Sequence, residues 1–285
     1  MVEVYVVSAF SKENQGGNKA GIVLDSHNLT PVDMAVIAKD LGYSETAFLM
    51  ESNIADFKIR YFTPTEEVPL CGHATIATFS LLNSLSKLSK GTYILETKAG
   101  NLNIRIEKDG MIFMEQNCPI YFETLAPNIF AGCLENRFID TSLPIQIVST
   151  GLKDIILPVD SKDHLNKLNP NFKNIASLCQ DLNVVGIHAF TLTKGSKATA
   201  ICRNFAPRYG IDEESATGTS NCALACYLFK HYDQQSQYIF EQGSNLGSAS
   251  QLIVNITHYN STINMVYVGG QGHFVCKKII EASRS

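Results

Sequence analysis

The chain carries one series of segments twice, in the same order and at nearly constant spacing, and such a repeat decides the architecture before any local reading does. Leu29-Thr30-Pro31 opens an amphipathic stretch through Ala38 that ends near Asp40-Leu41, and a strand pattern follows at Thr46-Ala47-Phe48-Leu49. Leu168-Asn169-Pro170 opens a counterpart through Ala176 to Asp181-Leu182, with a strand pattern at His188-Ala189-Phe190-Thr191-Leu192. Arg60-Tyr61-Phe62-Thr63-Pro64 returns 143 residues later as Arg203-Asn204-Phe205-Ala206-Pro207, and Tyr93-Ile94-Leu95-Glu96 returns 145 residues later as Tyr238-Ile239-Phe240-Glu241. Between those matches, Gly72-His73-Ala74-Thr75 leads into apolar Ile76 to Leu82, as Gly218-Thr219-Ser220 leads into Cys222 to Phe229. Ile22-Val23-Leu24 has its own echo in Ile155-Ile156-Leu157.

Matches in one order at nearly constant spacing argue for duplication, so the sequence predicts two domains of the same topology, 1–120 and 121–285. The last strand has room to cross back to the first domain. The boundary is expected between Cys118-Pro119 and Pro144, where Ala126-Pro127-Asn128 reads as a connector. Strand signals dominate each copy, with about two helices per copy, so the expected class is α+β: a curved, mostly antiparallel sheet around a central helix. In both copies a Thr or Asn stands before a Pro, which predicts a capped helix start with Pro at the first helical position. The other helix, 73 to 82 and 219 to 230, is apolar nearly all round and belongs inside.

A length of 285 residues with 45% hydrophobic content supports two cores of ordinary size. The net charge of -4 comes without any long run of like charge, which gives no reason to expect nucleic acid or a membrane surface as partner. Met1 to Phe10 lacks the basic head and small-residue cleavage site of an export signal, and no apolar stretch reaches the ~20 residues of a membrane helix. The eight scattered cysteines fit reduced thiols, so a cytoplasmic protein is expected. Cys222 and Cys226, four apart among core-like residues, read as buried structural thiols. No His-x-x-x-His or His-Glu-x-x-His spacing occurs, and no motif calls for a metal, nucleotide or pyridoxal cofactor.

The start of a buried helix presents free N–H groups and the positive end of its dipole, and a glycine there lets an anion come close to the backbone. Two such starts, at Gly72 and Gly218, facing each other across a cleft would clamp a small carboxylate-bearing molecule. His73 lies at the first start, Glu45 where a loop enters a strand, and Glu213 and Glu214 just before the second glycine turn. A carboxylate against apolar walls serves as general acid or base, with a neutral histidine beside it. Each also has a plain reading: Glu45 as a surface carboxylate, His73 as a core or helix-capping residue.

Taken together, these segments resemble the PhzF family of isomerases, related to diaminopimelate epimerase. The resemblance rests on Gly17-Asn18-Lys19-Ala20-Gly21, Ser44-Glu45-Thr46-Ala47-Phe48, Tyr61-Phe62-Thr63-Pro64-Thr65, Leu70-Cys71-Gly72-His73-Ala74-Thr75, Phe205-Ala206-Pro207, Glu213-Glu214-Ser215-Ala216-Thr217-Gly218-Thr219 and Gln242-Gly243. It implies a diaminopimelate epimerase-like fold of two pseudo-symmetric domains. It also implies a proton-shuttling glutamate at Glu45, a histidine at His73, an acidic residue at Glu214 and a substrate-holding pair at Gly218-Thr219. Asn18, Ser44, Gly72 and Thr217 fall in the same motifs and are the further substrate-binding candidates; a homodimer is expected on the same ground. The chain departs from the family at Lys19, where proline is usual, at Glu214-Ser215 in place of Asp-Pro, at Asn221 in place of a frequent His and at Ser248 in place of an Arg.

The leading expectation is a cofactor-independent isomerase that moves a proton within a small carboxylate, with Glu45 as general acid and base. One alternative is an amino-acid racemase or epimerase using Cys71, but Thr217 holds the place of the second thiol. The other alternative is a small-molecule-binding protein that has lost its chemistry.

Overall fold

The two most apolar helices are buried along almost their whole length. In the computed structural model, which describes residues 1–281, Gly72–Ser84 is helical and His73 to Leu82 are all buried. Gly218–His231 is likewise helical and buried from Ser220 to Phe229. Contacts divide the chain into two compact units, Met1–Glu115 together with the chain from Gly269 onward, and Gln116–Val268. The stretch around Ala126-Pro127-Asn128 lies within the second unit, where Pro127–Phe130 makes a short 3-10 turn that sends Phe130 into the core.

In the first unit the order is β1 (Val2–Ser11), β2 (Asn18–Val23), α1 (Pro31–Leu41), β3 (Thr46–Met50), β4 (Phe57–Phe62), β5 (Glu67–Val68), α2 (Gly72–Ser84), β6 (Gly91–Thr97), β7 (Gly100–Ile106) and β8 (Ile112–Gln116). The second unit has β9 (Ile120–Leu125), β10 (Ile145–Ser149), β11 (Lys153–Pro158), α3 (Lys162–Lys167), α4 (Phe172–Asp181), β12 (Gly186–Leu192), β13 (Ala200–Ala206), β14 (Ile211–Glu214), α5 (Gly218–His231), β15 (Gln237–Gln242) and β16 (Ser250–Tyr259). A long strand, β17 (Thr262–Ile280), then ends beside β1, pairing Val2 with Ile280. No helix among the described residues is long and apolar enough to cross a membrane.

Both units repeat one pairing scheme. β2 runs parallel to β3, β3 antiparallel to β4, β4 parallel to β6 and β6 antiparallel to β7. In the same way β11 runs parallel to β12, β12 antiparallel to β13, β13 parallel to β15 and β15 antiparallel to β16. Antiparallel pairs are joined by short turns, whereas each parallel pair needs a crossover, and the crossovers carry the helices. Alternation then assigns the faces. Phe48 and Phe62 join Met34, Ile37, Ala38 and Leu41 of α1 in one cluster, while Tyr61 beside them donates or accepts a 2.6 Å hydrogen bond with Thr75 of α2. In the second unit Ile187, Ala189 and Phe205 pack with Ile175 and Cys179 of α4.

The amphipathic helices start differently in the two copies. Thr30 caps α1 with a capping box to Asp33, with Pro31 at the first turn, as expected. For α4 the expectation of Pro170 at the first helical position is corrected. Asn171 is the cap, its side chain accepting from Asn174 N at 3.1 Å, so the helix begins after Pro170. A side-chain acceptor one residue beyond the proline starts the helix there.

Candidate active site

The ladder registers align the two units residue by residue and show what each carries at a given place. Phe62 pairs with Thr46 and Phe205 with Ile187, so Thr46 corresponds to Ile187, Ala47 to His188, and Glu45 to Gly186. Tyr61 pairs with Val68 and Asn204 with Glu214, so Val68 corresponds to Glu214. Each unit therefore places a carboxylate where the other has none. Gly186 is required as glycine, because a Cβ there would sit 2.1 Å from the Phe205 carbonyl oxygen.

Glu45 is held by its backbone, whose carbonyl accepts from Gly21 N–H at 3.2 Å. It lies one residue before Thr46, which shares the face of α1, so its side chain turns toward α2. There Glu45 Oε2 stands 3.3 Å from His73 Nε2. That oxygen is buried and makes no hydrogen bond. Ser44 Oγ lies 3.5 Å from the same histidine nitrogen, and Cys71 Sγ lies 3.4 Å from His73 Nδ1. Cys71 is the cap residue of α2 but gives no side-chain cap, and the first-turn N–H groups of that helix are thus left to other acceptors. Ser44, Glu45, Gly72 and His73 are thereby brought together, and Cys71 joins them. Asn18 opens β2, buried, with Ala9 as its cross-strand neighbour.

In the second unit Glu214, Thr217, Gly218 and Thr219 gather at the start of α5. Thr217 is the cap residue, but its hydroxyl donates to Glu214 Oε2 at 2.6 Å rather than capping the helix. Gln242, fully buried, ties this loop down. Its Oε1 accepts from Thr217 N at 3.2 Å and Asn221 Nδ2 at 2.8 Å, and its Nε2 donates to the Glu214 carbonyl at 2.7 Å. Gly243, at φ +81, lets Ser215 and Ser248 close over it, since a Cβ would lie 2.5 and 2.4 Å from their carbonyl oxygens. The Thr219 carbonyl accepts from Thr150 Oγ1 at 3.2 Å.

Glu213 is not available as a proton carrier. It makes a bidentate pair with Arg203, at 2.8 and 2.7 Å, and Arg60 and Glu67 make the same pair in the first unit, both at 2.7 Å. Hydrogen bonds from Arg60 hold the Glu67 carboxyl down at about 2.

Asp154 escaped the sequence reading. It is buried on β11, facing α5, and its Oδ2 accepts from Ser220 Oγ at 2.7 Å. Burial, reinforced by the Glu214 charge, pushes its carboxyl up to about 7, against the pull of the Ser220 hydrogen bond. Burial likewise lowers His188 to about 4, so its ring is neutral near pH 7, with Nδ1 3.0 Å from Asn204 Oδ1. The available signal was a charged residue at an inward-facing position of a strand that is apolar from there on, Lys-Asp-Ile-Ile-Leu-Pro.

Comparison with known proteins follows the same lines. A family model described as phenazine biosynthesis-like protein matches residues 7–278. The uncharacterised isomerase YddE of Escherichia coli is 33% identical over 281 residues, covering 94% of each chain. The trans-2,3-dihydro-3-hydroxyanthranilate isomerase of Pseudomonas aeruginosa is 27% identical, covering 94% of this chain and 95% of that one. A crystal structure of a Bacillus anthracis PhzF-family protein superposes with a TM-score of 0.90 at 30% identity, over 97% of this chain and 98% of that one.

Proposed function

We propose that this chain, an isomerase that belongs to the phenazine biosynthesis-like (PhzF) family and has its diaminopimelate epimerase-like fold, uses Glu45 to move a proton within a small carboxylate-bearing metabolite. Glu45 takes the proton from an activated carbon as a carboxylate and returns it to another carbon of the same molecule as a carboxylic acid. No cofactor is required for that cycle, since one side chain is base and then acid. The observation that carries the reading is the 3.3 Å approach of Glu45 Oε2 to His73 Nε2, with that oxygen buried and free of hydrogen bonds. An oxygen that accepts no hydrogen bond has its lone pairs open to the substrate. His73 gives the proton a second resting place or polarises the substrate.

In the first unit the anchoring candidates are Asn18, Ser44 and the Gly72 N–H, and in the second unit Thr217, Gly218 and Thr219 offer a helix start of the same kind. The first turn of each central helix lacks a side-chain cap, which suits a ligand carboxylate. The Pseudomonas aeruginosa relative is named for an anthranilate-type substrate, itself a carboxylate. Glu214, hydrogen-bonded to Thr217, is the acid-base candidate of the second unit. Two-thiol racemase chemistry is disfavoured, because the residue matching Cys71 is Thr217, whose hydroxyl is weakly acidic and already given to Glu214.

The test is a screen of small carboxylates in heavy water for solvent deuterium incorporated at carbon, run with the parent chain and with Glu45→Gln. The reading expects a substrate whose exchange disappears in the variant. A Glu45→Gln protein that still turns over that substrate sinks it.

A further inference from the structure

Glu45, Cys71 and His73 come together in the first unit. One ligand atom from each lies within 4.8 Å of the others, and this is the one such trio of His, Cys, Asp or Glu side chains among the described residues. A tetrahedral Zn²⁺ with nitrogen, oxygen and sulfur ligands at about 2.0 to 2.3 Å separates those ligands by about 3.3 to 3.6 Å. The Glu45 Oε2 to His73 Nε2 edge is already 3.3 Å. The Cys71 Sγ to His73 Nε2 edge is 4.0 Å, about 0.4 Å beyond that range.

Two further observations point to a cation. Glu45 Oε2 is buried without a hydrogen bond, and Cys71 and His73 are only 6% and 5% exposed. A thiolate and a carboxylate around a divalent ion sum to no net charge, which removes the penalty of burying either anion alone. Thiolate and imidazole ligands together favour Zn²⁺ over Mg²⁺ or Ca²⁺. Three protein ligands leave a fourth position open, unlike the closed four-ligand pattern of structural zinc sites.

We propose that Glu45, Cys71 and His73 form a binding site for Zn²⁺, and that the bound ion inhibits the enzyme. On binding, the Cys71 thiol loses its proton to solvent and its sulfur takes up the metal. Inhibition, unlike binding, rests on the function proposed above: the ion occupies the carboxylate that must carry the proton.

The experiment titrates the reduced, chelator-treated full chain with ZnCl₂ against a chromophoric chelator, and with CoCl₂ to read the thiolate-to-cobalt absorption band. The expected result is one equivalent bound, with the cobalt band present. Cys71→Ser and His73→Ala should each weaken Zn²⁺ binding at least about tenfold, and Cys118→Ser should leave it unchanged. Serine is a favoured cap residue, so Cys71→Ser keeps the start of α2, which circular dichroism verifies. Parent-like affinity in Cys71→Ser or His73→Ala, no cobalt band, or loss of binding in Cys118→Ser overturns the site. Since no substrate enters this titration, it can fail while Glu45→Gln still abolishes exchange, or succeed while that variant remains active.

Discussion

Asp154 makes the stability of the second unit depend on pH in an unusual direction. A carboxyl pushed up to about 7 in the folded chain, against an ordinary 3.8, holds a proton that the unfolded chain has already lost at intermediate pH. The folded state then binds more protons, so stability is full below about pH 4 and falls as pH rises to about 7. Three pH units at 1.36 kcal/mol each make the loss about 4 kcal/mol. Asp154→Asn is nearly isosteric and keeps an oxygen to accept from Ser220, but it cannot ionise. Its amide N–H₂ meets a position where Asp154 Oδ1 has no hydrogen-bond partner, which adds an offset that does not vary with pH. Urea unfolding of both proteins from about pH 4 to about pH 8 should show their stability difference shifting by about 4 kcal/mol, in favour of the parent at the acid end. Titrations of groups that do not interact with Asp154 cancel in the difference. A difference that stays flat across this range refutes the assignment.

Arg203→Met, by leaving Glu213 buried and unpaired at 9% side-chain exposure, should cost about 3 to 5 kcal/mol, and Arg203→Met with Glu213→Leu should recover most of it in the same unfolding assay. Gly186→Ala should cost about 3 kcal/mol or more, because its Cβ meets the Phe205 carbonyl at 2.1 Å, whereas Gly42→Ala at φ +67 in open space should cost about 1 kcal/mol. Thr30→Ala removes the cap of α1 and should cost about 1 kcal/mol by thermal or urea unfolding.

The duplication was readable because the same physical devices are kept in both copies. Arg60 and Arg203 each grip a glutamate and lie over the phenylalanine two residues on, at 5.2 and 4.9 Å, so the motif survives as a unit. The buried helices were readable because a helix apolar all round has only one stable place. Pairing register was not. Read by composition, Ile22 faces Ile155, but the parallel ladders match it to Ile156, and only register shows that Gly186 stands where Glu45 does. Glu213 and Glu214 look alike as neighbours in sequence, yet strand alternation commits one to Arg203 and gives the other to Thr217. Glu45 and His73 are on separate elements, and their meeting follows from a parallel crossover that no spacing rule contains. Residue chemistry offers Glu45 and His73 as candidates and family resemblance singles them out, whereas the 3.4 Å approach of Cys71 to the same ring is visible only in the structure.

The central claim is that one carboxylate carries the proton, and it is tested most directly by solvent exchange at carbon. With a substrate in heavy water, the parent chain should return product labelled at the carbon that receives the proton, while Glu45→Gln folds normally and gives neither product nor label. Labelled product from Glu45→Gln, at a rate near that of the parent, would contradict the account.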